Sequence, residues 1–239
     1  MRSRSRVKMA ARAANEFEQM LEAINLSCVR GDRLLFSGVN FTVAPGGLLE
    51  LRGPNGGGKT SLLRILCGLA TPADGEVRWN GTNTRTLREE YFGSLAYVAH
   101  LNGVKDELTA LENLLAARRV AGHELGKHEG EATLERAGLI NQRHLPTRVL
   151  SAGQRRRLAL ARLLASRAKL WLLDEILTSL DESGVHLVRK LITEHIDGGG
   201  LAIVATHQDL NLSPPSLQTM NLANSNTEAG PAAPPAISG

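Results

Sequence analysis

The stretch GPNGGGKT, from Gly53 to Thr60, sets three consecutive glycines ahead of a lysine and a threonine. Gly56, Gly57 and Gly58 have no side chains to hold a polyanion away from the backbone N–H groups. An ammonium at Lys59 reaches phosphate oxygens, and a hydroxyl at Thr60 ligates a hard divalent cation. The pattern GxxxxGK[ST] implies a nucleoside triphosphate held by Gly53, Pro54, Asn55, Gly56, Gly57, Gly58, Lys59, Thr60 and Ser61. Farther along, LWLLDE (Leu170 to Glu175) ends an apolar run in two acids. Asp174 reads as a Mg²⁺ ligand, direct or through water, and Glu175 as the group that orients and polarises an attacking water. LAIVAT, from Leu201 to Thr206, leads into His207, a candidate γ-phosphate contact. LSAGQ, from Leu150 to Gln154, opens a helical pattern in which Ser151 is a natural N-cap and Gly153 permits close backbone approach. A helix start offering a hydroxyl and free N–H groups is an anion site. Arg155, Arg156 and Arg157 just beyond it read as a solvated helix face.

These residues need particular elements beneath them. Leu48, Leu49 and Leu51 read as a buried strand feeding Gly53, and SLLRILCGL (Ser61 to Leu69) as the helix that follows. Strand, glycine-rich turn and helix are the context the loop requires. LWLL reads as a buried parallel strand, and ligands in open α/β sheets collect at the strands' carboxyl ends. Residues 103–150 carry helical patterns such as LTALENLLAARRV, broken at Gly122, Gly126, Gly130 and Pro146. His123 and His128 fall there at a spacing that misses one helix face, so they make no haem site.

The motifs occur together and in order. GPNGGGKT, LSAGQ, LWLLDE, SLD (Ser179 to Asp181) and ATHQDL (Ala205 to Leu210) resemble the Walker A, signature, Walker B, D-loop and H-loop of an ABC ATPase. The flanking text LEAINLSCVRGDRLLFSGVNFTV, GEVRWNG and KDELTALENL is similar to the ATP-binding subunit of the cytochrome c biogenesis haem exporter, the CcmA type. The resemblance covers roughly residues 20–210 and implies an α/β P-loop NTPase of the ABC cassette type, with a mixed core sheet flanked by helices and a small helical subdomain. The domain would run over 20–212, with 20–102 and 151–212 as its RecA-like core and 103–150 as the helical subdomain. It implies that Lys59, Thr60, Asp174, Glu175 and His207 serve ATP on their own subunit, with Glu175, His207 and Lys59 catalytic and Thr60 and Asp174 on Mg²⁺. Ser151, Gly153 and Gln154 would meet ATP on the opposite subunit, with Asp181 at the dimer interface. A head-to-tail homodimer with two ATPs at its interface, docked on an integral membrane permease of the haem exporter, follows from the same resemblance. So does a peripheral place on the cytoplasmic face of the inner membrane.

Departures from the family pattern accompany it. Ile176 stands where proline usually follows the catalytic glutamate, and would loosen the turn that aims Glu175. Leu101 stands where the Q-loop glutamine is expected, beside His100, which can substitute in part. Gly57 replaces the more usual alanine or serine. No adenine-stacking aromatic is in place; Arg30 lies near that position, and its guanidinium plane can stack on a base.

Length and composition bound the alternatives. A chain of 239 residues can bury one sizeable core and a small satellite. The net charge of +4 arises mostly in residues 1–19, where five basic residues face two acidic ones. The remainder is near neutral, and four Phe, two Tyr and two Trp make no stacking platform, so nucleic acid is not an expected partner. Cys28 and Cys67 are far apart in sequence and read as free thiols. No run approaches the ~20 apolar residues of a spanning helix. The basic segment 1–19 reads as a disordered extension: either an organellar transit peptide or a start codon placed too early, with Met20 opening the matched text. Residues 213–239, rich in Pro, Ala, Ser and Asn, read as a disordered tail. Two further functional readings stay open at the level of sequence: an ABC ATPase uncoupled from transport, and a degenerate ATP-binding switch with little turnover.

Overall fold

The computed structural model describes residues 19–99 and 103–222. The expectations for 1–18, for His100 and Leu101, and for 223–239 lie outside the described residues. The strands are β1 (Leu21–Arg30), β2 (Arg33–Val43), β3 (Gly47–Arg52), β4 (Asp74–Trp79), β5 (Thr82–Asn83), β6 (Leu95–Val98), β7 (Leu170–Asp174), β8 (Leu201–Ala205) and β9 (Ser216–Asn221). The helices are α1 (Lys59–Leu66), α2 (Thr84–Ser94), α3 (Ala110–Val120), α4 (Lys127–Arg136), α5 (Ala152–Ser166) and α6 (Glu182–Asp197).

The expected mixed sheet divides into two. One sheet is antiparallel, in the order β2-β1-β4-β5, and the other is wholly parallel, in the order β6-β7-β8-β3-β9. Continuous apolar runs form the parallel sheet because both of its faces are covered. In β7, Leu170 and Leu172 join the core shared with the antiparallel sheet and α1, whereas Trp171 and Leu173 join the core under α5 and α6. β8 alternates the same way, with Leu201, Ile203 and Ala205 on the first face and Ala202 and Val204 on the second. A third core holds α3 and α4 against Leu158, Ala161 and Ala165 of α5. α5 therefore packs on the sheet with one side and on the small helical unit with the other. Thr109 caps α3 in a reciprocal box with Glu112, which fixes where that unit begins.

One boundary is corrected. Ser216–Asn221, expected within a disordered tail, is the edge strand β9, paired in parallel with β3 from Gly47↔Ser216 to Arg52↔Asn221. Most of its side chains are exposed, so alternation gives little signal. Backbone pairing holds it, aided by fully buried Leu222 and by Gln218 Nε2 donating to the Thr42 carbonyl at 2.8 Å. Among the described residues, no helix is long and apolar enough to cross a membrane.

Candidate functional site

β3 delivers the glycine loop to the carboxyl edge of the parallel sheet. The loop turns into α1 at Gly58, whose φ of 97° and close approach to the Phe36 ring, at 2.8 Å from where a Cβ would sit, admit no other residue without strain. α1 begins at Lys59, two residues ahead of the expected Ser61, and ends at Leu66. The Lys59 side chain, 6% exposed, curls over the loop and donates to the carbonyls of Gly53 at 2.7 Å and Pro54 at 3.2 Å. Thr60 Oγ1 donates to Asp174 Oδ1 at 3.2 Å, so β7 and α1 bring their two oxygen donors together. Tyr97 on β6 donates to the other carboxylate oxygen of Asp174 at 3.4 Å. Burial, and then the Asp174 charge, push the Tyr97 phenol well above its ordinary value, so it stays protonated as a donor.

Glu175 follows β7 at φ 51°, a left-handed conformation that costs a non-glycine residue about 1–3 kcal/mol. Its N–H donates to the Ala205 carbonyl at 2.9 Å, and its own carbonyl accepts from the Thr178 N–H at 3.1 Å. His207 Nδ1 lies 2.8 Å from Glu175 Oε2. A carboxylate only accepts, so the proton sits on Nδ1 of His207 and Nε2 faces elsewhere. The Thr206 hydroxyl accepts from the Gln208 N–H at 3.0 Å, which shapes the turn that presents His207.

These groups line one cleft of about 680 Å³, which gathers Pro54 to Ser61, Asp174, Glu175 and His207. Arg30 lies there as expected, and Arg33 joins it, its partner across the β1–β2 hairpin. Gly53 borders the cleft through its carbonyl on Lys59. Ser151, Gly153, Gln154 and Asp181 lie apart, around a second hollow of about 370 Å³. Ser151 caps α5, its hydroxyl accepting from the Gln154 N–H at 3.2 Å while Gln154 Oε1 accepts from the Ser151 N–H at 3.0 Å. A Cβ on Gly153 would stand 3.1 Å from the Ser179 carbonyl, so glycine lets the two segments touch. Asp181 caps α6, accepting from the Gly184 N–H at 2.8 Å, and that bond, with Ser183 and Arg157, lowers its carboxyl below the ordinary value.

Two expectations are corrected here. The arginines after LSAGQ do not form a solvated face. Arg155 donates to the carbonyls of Leu150 and Arg148, and Arg157 to Asp181 and Ser183. Arg156 is 2% exposed and aims its guanidinium at the carbonyls of Ala99, Asp174, Glu175 and Ile176. Nor does Ile176 leave its turn loose: its side chain is fully buried in the core under α5 and α6, and its carbonyl accepts from Arg156 Nε at 3.2 Å. Tyr97 and Arg33 were not anticipated, and Arg156 was placed in solvent; Tyr97 alone carried a signal, as a polar residue in the apolar strand LAYV. Cys28 and Cys67 are free and buried, and burial raises both thiols. His123 and His128 are exposed.

The donors fit a hard cation. Thr60 and Asp174 offer oxygen only, and no group of three or more His, Cys, Asp or Glu that could hold a metal occurs among the described residues. One hydroxyl and one carboxylate, completed by substrate phosphates and water, suit Mg²⁺ better than a transition metal.

Comparison with known proteins agrees with this geometry. The family model described as ABC transporter matches residues 36–178. The cytochrome c biogenesis ATP-binding export protein CcmA of Nitrosospira multiformis is 52% identical over 84% of this chain and 98% of that protein. The protein of the same name from Nitrosomonas europaea is 50% identical over 82% of this chain and 92% of its own length. Among solved structures, an ABC transporter ATP-binding protein from Pyrococcus furiosus superimposes with a TM-score of 0.76 at 26% identity, over 87% of this chain and all of that one. The chain belongs to the ABC transporter family, in the same branch of ATP-binding subunits as these CcmA proteins, and carries that family's ATPase domain.

Proposed function

We propose that this chain is the ATP-hydrolysing subunit of a haem-export complex serving cytochrome c maturation, attached peripherally to the membrane through an integral permease. The observation that carries the ATPase part is the convergence of Lys59, Thr60, Asp174, Glu175 and His207 on one cleft. The haem and cytochrome c assignment is supported by the names of the relatives at about half identity.

Lys59 leaves its two loop carbonyls to neutralise the β- and γ-phosphates, and the loop N–H groups cradle them. Thr60 and Asp174 would hold Mg²⁺, which would supply positive charge against the phosphates. Glu175 accepts a hydrogen bond from water and aims it at the γ-phosphorus; the bond to the β–γ bridging oxygen breaks, and ADP and phosphate leave. His207, with its Nδ1 proton on Glu175, turns Nε2 toward the γ-phosphate. Ser151, Gly153 and Gln154 line a different hollow, shared with Asp181. That separation supports a head-to-tail dimer in which each ATP is closed over by the other copy's α5. Dimer closure would then drive the permease.

The decisive experiment is steady-state ATP hydrolysis by the purified chain, with and without the permease, beside Glu175→Gln. Turnover that falls at least about 100-fold in the variant, with ATP binding retained, is the expected outcome. Equal turnover in both would remove Glu175 from the role. ATP binding without turnover in the wild type would leave a nucleotide-gated switch.

A further inference from the structure

Glu175 adopts a backbone conformation that a glutamate does not hold by itself. Such outliers persist where surrounding contacts over-determine them. Beside the backbone bonds to Ala205 and Thr178 and the His207 contact, four carbonyl contacts around the turn come from one side chain. Arg156 Nη2 donates to the Asp174 carbonyl at 3.0 Å and to the Glu175 carbonyl. Its Nε donates to the Ile176 carbonyl at 3.2 Å, and Nη1 to the Ala99 carbonyl at 3.0 Å. Burial pulls the guanidinium's pKa below its ordinary value, and the nearby carboxylates of Asp174 and Glu175 work against that and favour its charge. Its planar fork suits several carbonyls at fixed angles, which one ammonium cannot serve.

The placement of Arg156 matters as much as its contacts. It sits on the second turn of α5, the helix capped by Ser151. One residue thus ties three things: the start of α5, the turn behind Glu175, and the end of β6. We propose that Arg156 is a positioning residue for hydrolysis: it holds the peptides around Glu175 in the conformation that aims the carboxylate, and makes that aim depend on where the Ser151 end of α5 lies. Ile176 fits this arrangement, since its buried carbonyl is one of the clamped acceptors and its side chain anchors the turn from below. The proposal rests on the reading of Glu175 as the water-orienting group.

The test uses the full chain with Arg156→Gln and Arg156→Lys, beside Glu175→Gln. Four quantities are read: KM for ATP, kcat, thermal stability, and amide exchange of the peptides covering 96–99 and 174–178. Misplacing a reacting group by about an ångström can cost on the order of a hundredfold. The expected result is a kcat lowered by about ten- to a hundredfold with KM within about threefold of wild type. Exchange should quicken in the two peptides and stay unchanged elsewhere, with lysine recovering kcat only in part because it restores charge without the fork. Wild-type kcat in both variants overturns the proposal, as does a loss of KM, kcat and thermal stability together in the lysine variant, which would mean scaffolding alone. Should the glutamine variant not fold, the lysine variant decides by the same criteria. If wild type and Glu175→Gln hydrolyse alike, the functional reading fails while the clamp is still judged by exchange: faster exchange at 174–178 upholds it and unchanged exchange removes it.

Discussion

Lys59 is nearly buried yet, among the described residues, bonded only to carbonyls of its own loop, contacts that phosphate oxygens replace at little loss. Lys59→Ala should therefore lower ATP affinity by at least about tenfold, as a charge-assisted pair to phosphate is lost. A titration with a fluorescent ATP analogue reads this directly, and near-normal affinity would sink the assignment of the loop. Lys59, Thr60, Asp174 and Glu175 were legible because phosphate chemistry dictates both their types and their spacing. Arg156 was not. A solvated arginine and a buried one are written identically, and what separates them is a carbonyl 57 residues away just past β6 together with three at and just past the end of β7. Arg33 escaped for a similar reason: only the hairpin register brings it beside Arg30.

Elements were legible where a periodicity met a cap. α5 shows both, from Ser151 with Gln154 through its apolar positions. β9 shows neither, and its existence depends on the unpaired edge that β3 offers. Ending the chain after Pro215 should expose that edge. The expected result is a melting midpoint lowered by several degrees, about 1–3 kcal/mol, with concentration-dependent self-association. A truncated chain that melts like the full one would mean β9 contributes nothing. A second element carries a pH signature. His195 on α6 stacks on Trp171 of β7, ring centroids 3.8 Å apart, and its Nε2 donates toward the Lys169 and Leu201 carbonyls. Burial holds its pKa below the ordinary 6.5. As pH falls through that value the unfolded chain takes up a proton before the folded chain does, so stability is full above it and declines below, until the folded value is reached. His195→Gln should flatten the dependence of unfolding free energy on pH between about 7 and 5. An unchanged slope would show that another group sets it.

At the scale of the whole molecule, the separation of the two hollows turns into a statement about copies. If each ATP needs the glycine loop of one chain and the Ser151 end of another, neither Lys59→Ala nor Gly153→Asp should turn over alone. Mixed in equal amounts, half of the dimers pair one of each, and each such dimer holds one intact composite site. Turnover should then recover to about a quarter of wild type, provided the sites act independently. No recovery on mixing would argue against the shared arrangement. The molecule's two lobes were foreseeable from helical text between loop and signature motif, but their connection was not. α5 belongs to both cores, so the lobes share a helix rather than a hinge.

The seating of β9 against β3 also bears on how the chain withstands force. Tension applied beyond Leu222, along the strand axis, loads the whole parallel ladder from Ser216 to Asn221 in shear, with every rung resisting together instead of opening one after another. The intact ladder passes that load into β3, which is paired on its other side with β8, so the pull is shared across the sheet and does not fall on the glycine loop alone. A tether fused there should leave nucleotide binding undisturbed under loads that would peel a strand paired end-on.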